Sequence, residues 1–288
     1  MNIAITGASG FIGTELIQQL NDSVHVIGLT RNLPAGDNTI EWRQTDYSVT
    51  SLQTAFKDVD VVIHLAAVRG TTTNREDYVI NETITENVLS AMDACKVGRI
   101  VLASTISVYD DETTIPWTEE EPLQARTMYG DSKIACEKLV KDYSAKFGFD
   151  YSIVRIAQVL GLGEKRRGMM NVFLDTAAAG GEITVIGKSV AKRQYIYVKD
   201  LVAIIEKLAK LDKGVNITVN AGMSEAYTNL EIAQITNSVY GNTTPINYDD
   251  SKIETIKSSC MNNDKLMTAI GYNPMDMAAA IKDIRSHE

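Results

Sequence analysis

Tyr129 and Lys133 are the residues of this sequence whose types and spacing most directly allow chemistry. They stand four positions apart within Met128–Phe147, a segment with a helical pattern of apolar residues. This spacing places both side chains on one face of a helix, where an ammonium group stabilises a neighbouring phenolate. Such a tyrosine can take a proton from a hydroxyl group as hydride leaves the same carbon. The pair therefore predicts acid/base chemistry beside a bound hydride acceptor.

A third candidate group is the hydroxyl of Thr105, which comes directly after an apolar run that predicts a strand over Arg99–Ser104. Open parallel sheets bind their ligands outside the carboxyl ends of the strands. We therefore expect Thr105 at the same edge as Tyr129 and Lys133, where its hydroxyl can hydrogen-bond the reacting oxygen.

A glycine-rich turn opens the chain and predicts the site for the hydride acceptor. The run Thr6-Gly7-Ala8-Ser9-Gly10-Phe11-Ile12-Gly13 comes after the apolar residues 3–5, and an apolar helical pattern begins at once. The N-terminus of a helix carries unpaired N–H groups and the positive end of the helix dipole. Glycines there let a pyrophosphate approach the backbone. We interpret this segment as a dinucleotide site rather than an ordinary tight turn.

Strand and helix patterns alternate along the first half of the chain. Strands are predicted at Asn2–Thr6, Val24–Leu29, Val59–Leu65, Arg99–Ser104 and Tyr151–Ile156. Helices are predicted at Phe11–Leu20, Ser51–Phe56, Asn74–Cys95 and Met128–Phe147. The strand segments lack polar alternation, as expected when both faces of a parallel strand are covered. The predicted fold class is α/β, with a Rossmann-type doubly wound parallel sheet.

The alternation changes after Ala157. Shorter elements are predicted there: strands at Ile183–Ile186 and Gln194–Val198, and helices at Met170–Ala179, Leu201–Leu211, Asn229–Tyr240, Asn263–Ile270 and Met275–Arg285. We expect residues 1–157 to form a dinucleotide-binding domain, to which later segments return. Residues 158–288 should form mainly a small substrate-binding lobe. Two loops, Val68–Thr73 and Gly161–Gly168, should shape the substrate pocket.

Composition limits the classes of partner. The 288 residues carry a formal net charge of −9, which argues against a sequence-independent nucleic-acid binder. No apolar run is long enough to span a membrane, and the N-terminus has no pattern of a signal peptide. Cys95, Cys136 and Cys260 are odd in number and lack metal-type spacing, so we expect no metal and a reducing, cytoplasmic location.

Several motifs, in order, resemble the extended branch of the short-chain dehydrogenase/reductase family, which contains nucleotide-sugar epimerases, dehydratases and reductases. The resemblance covers nearly the whole chain. Beyond the glycine turn, it rests on His64-Leu65-Ala66-Ala67, Asn81 with Thr85-x-Asn87-Val88-Leu89, Ser104-Thr105 with Val108-Tyr109, the Tyr129/Lys133 pair, Arg193-x-Tyr195-x-Tyr197-Val198-x-Asp200, and Asn220.

The resemblance implies a role for each matching position. The pyrophosphate of the cofactor would lie against Gly7, Ser9, Gly10, Phe11 and Ile12. Asp46 and Tyr47 would stand near the adenine, and Leu65, Ala66 and Ala67 along the ribose and pyrophosphate. Tyr129 would be the acid/base, Lys133 its partner and a nicotinamide-ribose ligand, and Thr105 the third catalytic group. Arg193 would grip the phosphates of a nucleotide sugar, unless it forms a surface salt bridge. Gln158 stands where the family often has a substrate-facing asparagine. Family members often form homodimers through the helices that carry Asn81 and Tyr129.

The choice between NAD and NADP depends on the end of the second strand. NAD-binding members usually have an acidic residue there, which bonds the ribose 2′-hydroxyl. This sequence has Leu29-Thr30-Arg31-Asn32 instead. Arg31 could pair with the 2′-phosphate of NADP or stack on adenine. Its charge favours NADP slightly, and NAD stays open.

The two residues directly after Thr105 narrow the choice of reaction. Dehydratases of the family usually have an Asp-Glu pair there, whereas this chain has Ile106-Ser107, and residues 110–112 are expected to form a solvated loop. A dehydratase is therefore disfavoured. We favour a 4-epimerase of a UDP-hexose or UDP-N-acetylhexosamine. The alternative is an NADPH-dependent reductase of a nucleotide-4-keto-6-deoxysugar. A third, remote alternative is a non-catalytic NADP-sensing regulator. Such a protein would have lost catalytic residues, whereas Thr105, Tyr129 and Lys133 are all present here.

Overall fold

We describe the protein from a computed structural model. The structure describes residues 1–20, 24–36, 39–70, 72–164, 168–252 and 254–288. Thr71 and residues 165–167, which belong to the two loops expected to shape the substrate pocket, lie outside these ranges. In the described part, no helix is long and apolar enough to cross a membrane.

The strands and helices occur in a regular order along the chain. The first half contains β1 (Asn2–Thr6), α1 (Phe11–Gln19), β2 (His25–Thr30), β3 (Glu41–Gln44), α2 (Val49–Ala55), β4 (Val61–His64), α3 (Val79–Cys95), β5 (Arg99–Ala103), α4 (Met128–Phe147) and β6 (Asp150–Ile156). The second half contains β7 (Gln158–Leu160), α5 (Met169–Ala178), β8 (Thr184–Ile186), β9 (Arg193–Tyr197), α6 (Val198–Ala209), β10 (Ile217–Ala221), β11 (Ala226–Tyr227), α7 (Asn229–Tyr240), β12 (Asn247–Asp249), α8 (Asp264–Ile270) and α9 (Met277–Ser286).

A seven-stranded parallel sheet forms the centre of the fold, with the strand order β10-β6-β5-β4-β1-β2-β3. The chain winds outward from β1 in both directions, so the carboxyl ends of β1 and β4 flank the point where the strand order reverses. A crevice forms at such a switch point and is where doubly wound sheets bind ligands. This arrangement confirms the Rossmann-type fold class.

Apolar side chains cover both faces of this sheet. On one face, residues of β1, β4 and β5 pack with α1 and α6, and on the other, residues of the same strands pack with α2, α3 and α4. Burial on both faces accounts for the continuous apolar sequence of these strands. The rigid sheet thereby fixes the loops at its carboxyl edge.

A second core lies in the C-terminal part, where α5, α7 and α9 pack around a three-stranded sheet of order β11-β9-β7. The segments that return to the large sheet are α6, which packs on α1, and β10, which pairs with β6. The sequence did not identify β10 as a strand. The boundary at 157/158 stays a prediction.

Candidate active site

The turn after β1 presents bare backbone to the switch-point crevice. Gly7 has φ +70°, and a Cβ there would lie 2.9 Å from the backbone nitrogen of Ala66. Gly10 precedes α1 and supplies no capping side chain, and the first turn of α1 contains no acidic residue. The first N–H groups of α1 therefore face outward with the positive end of the helix dipole. This geometry suits an anionic phosphate group.

A cavity of ≈ 790 Å³ opens beside this turn. Every residue that the sequence assigned to the cofactor alone lines it: Gly7, Ser9, Gly10, Phe11, Ile12, Arg31, Asp46, Tyr47, Leu65, Ala66 and Ala67. Further residues without a predicted role also line the cavity, among them the basic side chain of Arg69 and the amide of Asn87. Asn87 stands within one of the motifs that carry the resemblance, and Arg69 lies two positions after another, so a polar side chain in or beside such a motif is the signal that could have found them.

Tyr47 and Asp46 form one wall of this cavity. Tyr47 is buried, its hydroxyl accepts a hydrogen bond from the Gly7 N–H (3.3 Å), and its carbonyl accepts one from Asn87 Nδ2 (2.9 Å). Burial raises the pKa of Tyr47, so the phenol stays protonated. Asp46 is exposed, and hydrogen bonds from Ser48 lower its pKa. The wall thus combines a neutral phenol with an ionised carboxylate.

Arg31 stands at the end of β2, exposed and facing the same cavity. The strand ends in Thr30, whose hydroxyl turns back to the backbone of Asn32 rather than into the cavity. Among the residues that the structure describes, no carboxylate lies within ion-pair distance of Arg31. A cation without an acidic partner is suited to an anionic ligand group.

His64 connects the ends of β1 and β4. Its Nδ1 lies 2.7 Å from the hydroxyl oxygen of Thr6. This oxygen accepts hydrogen bonds from the N–H groups of Leu65 and Ala66, so the hydroxyl proton is free to bond the imidazole ring. The other ring nitrogen contacts Thr85 Oγ1 at 3.1 Å. Burial, together with the smaller effect of a nearby lysine charge, lowers the pKa of His64 to about 3. His64 is therefore a neutral structural group.

The lysine near His64 is Lys133 on α4, which is 2% exposed, whereas Tyr129 one turn earlier is half-buried. The helix begins at the cap residue Thr127, and a Cβ at Gly130 would lie 2.2 Å from the Ser107 carbonyl oxygen. Only glycine permits this approach of α4 to the turn after β5. The contact brings the first turn of α4, with Tyr129, against the end of β5.

Thr105 lies in that turn, directly before the 3-10 turn Ile106–Val108. Its Oγ1 accepts a hydrogen bond from the Ser107 N–H (3.2 Å), which leaves the hydroxyl proton available to a ligand. The structure therefore brings Thr105, Tyr129 and Lys133 to the carboxyl ends of β4 and β5. These three residues do not line the ≈ 790 Å³ cavity but stand on its β5 side.

Arg193 and Gln158 lie apart from the cofactor cavity, in the three-stranded sheet. Gln158 is exposed and pairs with Tyr195 of β9, so it shares a face with Arg193, two residues earlier on that strand. The guanidinium of Arg193 contacts neutral groups: Nη2 lies 2.6 Å from Asn229 Oδ1 and 3.4 Å from the sulfur of Met169. Its Nε is buried without a partner.

No carboxylate pairs with Arg193 anywhere in the described ranges, so the salt bridge considered as its alternative role is not found there. An arginine held in place by neutral groups keeps its charge for an external anion, and its planar fork matches a phosphate.

The acidic residues 110–112 are solvated only in part: Asp111 and Glu112 are exposed as the sequence suggested, whereas Asp110 is partly buried. Asp110 accepts hydrogen bonds from Arg126 Nε (2.9 Å) and Lys257 Nζ (3.1 Å), and Glu112 accepts one from the Ser258 N–H (2.9 Å). Two cations, one of them from the C-terminal part of the chain, hold Asp110, and a backbone N–H from the same C-terminal part holds Glu112. The acidic run therefore joins the C-terminal part to the loop before α4.

Comparison with known proteins places this geometry in a family. The model of the NAD dependent epimerase/dehydratase family matches residues 3–222. The UDP-N-acetylglucosamine 4-epimerase from Bacillus cereus has 35% sequence identity over 100% of this chain and 99% of its own, with a TM-score of 0.91. A putative UDP-glucose 4-epimerase from Methanocaldococcus jannaschii is 31% identical over 69% of this chain and 70% of its own.

A third relative carries the name of a different kind of enzyme. The dTDP-4-dehydro-6-deoxy-D-allose reductase from a Streptomyces species is 26% identical over 98% of this chain and 94% of its own. The family match, the fold and the paired Tyr129 and Lys133 agree with the resemblance deduced from the sequence. The chain is thus an enzyme of the NAD dependent epimerase/dehydratase family.

Proposed function

We propose that this enzyme is a nucleotide-sugar 4-epimerase that acts on a UDP-hexose or UDP-N-acetylhexosamine by transient hydride transfer to bound NAD(P). The observation that carries this proposal is the convergence of Thr105, Tyr129 and Lys133 at the ends of β4 and β5, beside the cavity at the switch point. Similarity to UDP-sugar 4-epimerases supports the choice of reaction.

The residues present fit the dinucleotide. The uncapped start of α1 would hold the pyrophosphate, and Asp46 and Tyr47 would flank the adenine. Arg31 would face the 2′ position of the adenosine ribose, where its charge favours NADP over NAD. When bound, the nicotinamide supplies a reversible hydride acceptor.

In the proposed reaction, Tyr129 takes the proton of the sugar 4-hydroxyl as hydride leaves C4. Lys133 would be the partner of the tyrosine and bind the nicotinamide ribose, and Thr105 would donate a hydrogen bond to the reacting oxygen. Because Thr105 Oγ1 accepts a hydrogen bond from the Ser107 N–H, its own hydroxyl proton is free for this role. After the 4-keto sugar has turned over, Tyr129 would return the proton to the 4-oxygen as C4 regains hydride on its opposite face.

Arg193 would hold the diphosphate of the substrate, and Gln158 would face the sugar. The contacts of Arg193 with an amide oxygen and a thioether leave its positive charge uncompensated by any described carboxylate. A fixed guanidinium binds a diphosphate with directed, charge-assisted hydrogen bonds.

The second candidate is an NADPH-dependent reductase of a nucleotide-4-keto-6-deoxysugar. It would use Tyr129, Lys133 and Thr105 in the same way but would exchange its cofactor in each cycle. The position of Arg31 at the cofactor cavity and the similarity to the dTDP-4-dehydro-6-deoxy-D-allose reductase favour it.

Identification of the retained cofactor separates the two candidates. Freshly purified protein is denatured, the released nucleotide is identified by mass spectrometry, and native protein is incubated with UDP-N-acetylglucosamine and UDP-glucose without added cofactor. Stoichiometric NAD(P) and inversion at C4 support the epimerase. Empty protein that turns over only a 4-keto sugar with added NADPH would replace it by the reductase.

The homodimer implied by the family resemblance stays a prediction. The helices α3 and α4 would form the contact, and Val79 and Phe147 at their ends are exposed apolar residues. Light scattering of the purified protein would show twice the mass of one chain if the prediction is right.

A further inference from the structure

The residue before Thr105 belongs to a buried polar network that the proposed chemistry does not use. Ser104 Oγ donates a hydrogen bond of 2.5 Å to Glu137 Oε1 on α4. The Ser104 N–H meanwhile bonds the carbonyl of Val154 on β6 at 2.7 Å. Both Ser104 and Glu137 are buried, with exposures of 4% and 1%. The side-chain bond therefore joins the end of β5 to α4 immediately beside Thr105.

Glu137 lies one helical turn after Lys133 and is gripped by Arg155 of β6. Arg155 donates from Nε to Oε1 (3.1 Å) and from Nη2 to Oε2 (2.8 Å) of the carboxylate. Its Nη1 donates to the Tyr109 hydroxyl (2.6 Å) and to the Glu119 carbonyl (3.1 Å). Because each guanidinium nitrogen of Arg155 donates a hydrogen bond to a protein group, the Arg155–Glu137 pair is not available to hold substrate.

The network continues to the neighbouring strand. The Tyr109 hydroxyl lies 2.9 Å from Asn220 Oδ1 at the end of β10, and Asn220 Nδ2 donates to the Trp117 carbonyl (3.0 Å). The ends of β5, β6 and β10 are thus tied to one carboxylate on α4. A fully satisfied buried network of this kind holds its members in a single arrangement.

We propose that Glu137 and Ser104 are positioning residues that set Thr105 in register with Tyr129 and Lys133. The inference rests on the proposed function of those three side chains. Thr105 comes from β5, whereas Tyr129 and Lys133 come from α4, so their relative placement depends on how these two elements are joined. The hydrogen bond between Ser104 and Glu137 joins β5 to α4 directly. Ser104 is the residue before Thr105, and Glu137 lies one helical turn after Lys133.

The variant Ser104→Ala tests the inference because it removes the bond and leaves the Glu137–Arg155 ion pair intact. We expect kcat for C4 inversion to fall roughly 10- to 100-fold while KM stays within about 2-fold, as is typical when a supporting contact of a catalytic group is lost. Glu137→Gln should show the same split between kcat and KM. Ser104→Ala decides the question if Glu137→Gln does not fold.

Asp150→Asn is the matched control. Asp150 and Arg99, at the opposite ends of β6 and β5, also form an ion pair, with Arg99 buried and Asp150 partly buried (Nη2 to Oδ2, 3.4 Å). Its loss should lower the melting temperature without lowering kcat. The positioning role is overturned if Ser104→Ala keeps the wild-type kcat, if only its KM changes, or if Asp150→Asn lowers kcat equally.

Tyr129→Phe distinguishes failure of this inference from failure of the proposed function. If Tyr129→Phe turns over substrate at the wild-type rate, the proposed function is wrong, and the inference that rests on it is wrong as well. An inactive Tyr129→Phe together with a fully active Ser104→Ala would remove the positioning role alone.

Discussion

The Nη2 of Arg193 lies 2.6 Å from the amide oxygen of Asn229, and no carboxylate pairs with this arginine in the ranges that the structure describes. Asn229 is the first residue of α7, so the start of a helix holds the guanidinium in place without neutralising it. The second contact, with the sulfur of Met169, is also uncharged. This arrangement leaves a fixed positive charge in the C-terminal part of the fold.

Arg193→Ala should therefore weaken substrate binding. A charge-assisted hydrogen bond contributes about 1.5–3 kcal/mol, so we expect KM for the UDP-sugar to rise roughly 10- to 100-fold with little change in kcat. Steady-state kinetics test this. The control is Lys192→Ala, since the neighbouring Lys192 is exposed and pairs with Glu231 at 3.6 Å. Equal effects of the two variants would rule out a specific phosphate contact.

Tyr129→Phe should lower kcat by roughly 10²- to 10⁴-fold with little effect on KM, because proton transfer by a positioned side chain contributes a factor of that order. Tyr78→Phe is the control. The Tyr78 ring contacts the Tyr129 ring with centroids 6.0 Å apart, but its hydroxyl points to the Thr72 carbonyl. We expect Tyr78→Phe to stay within a few-fold of wild type. A comparable loss in both variants would indicate that packing, not proton transfer, is affected.

Two arginines of the cofactor cavity should differ in their effects. Arg31→Ala should weaken binding of NADP about 10-fold or more and leave NAD nearly unchanged, since only NADP has a 2′-phosphate. Arg69 lies after β4, at the other side of the cavity, and Arg69→Ala should weaken both cofactors equally. Calorimetric titration of protein freed of cofactor measures both affinities. An Arg31→Ala variant that binds NADP as wild type does would remove the argument for NADP.

The buried His64 should make stability depend on pH. Burial, together with the smaller effect of the Lys133 charge, lowers the pKa of His64 to about 3 from 6.5. Between these values the unfolded chain binds a proton that the folded protein excludes. The contribution of His64 to the free energy of unfolding is therefore complete above pH 6.5. It decreases as the pH is lowered, by about 3 kcal/mol between pH 7 and pH 4. Urea unfolding of wild type and His64→Gln across this range tests it. Equal pH slopes for the two proteins would contradict the prediction.

Much of the central fold could be predicted because its strands are continuous apolar runs separated by helical patterns. The bounds predicted for Asn2–Thr6, Met128–Phe147 and Asn229–Tyr240 agree with β1, α4 and α7. Glu41–Gln44 was missed because an edge strand of four residues with polar ends lacks an apolar run. The predicted helix Asn74–Cys95 begins instead with a 3-10 turn, capped by Asn74.

The site was predictable where local sequence determines it, as in the glycine turn and the four-residue spacing on α4. Its supporting contacts were not, because they join residues far apart in the chain. Ser104 and Glu137 are separated by 33 positions, and Asp110 and Lys257 by 147. Such pairs depend on how helices and strands pack against each other, and a local sequence pattern does not predict this packing. For the same reason, the sequence suggested a solvated loop where Asp110 is held by two cations.

The central claim is that hydride leaves and returns to C4 of the same sugar through the Tyr129 site. The most direct test is to incubate the enzyme with UDP-N-acetylglucosamine and UDP-glucose carrying deuterium at C4, without added cofactor, and to follow the sugars by NMR. We predict a C4-inverted product that keeps deuterium at C4. Absence of inversion, or inverted product that has exchanged this deuterium for solvent hydrogen, would contradict the proposed mechanism.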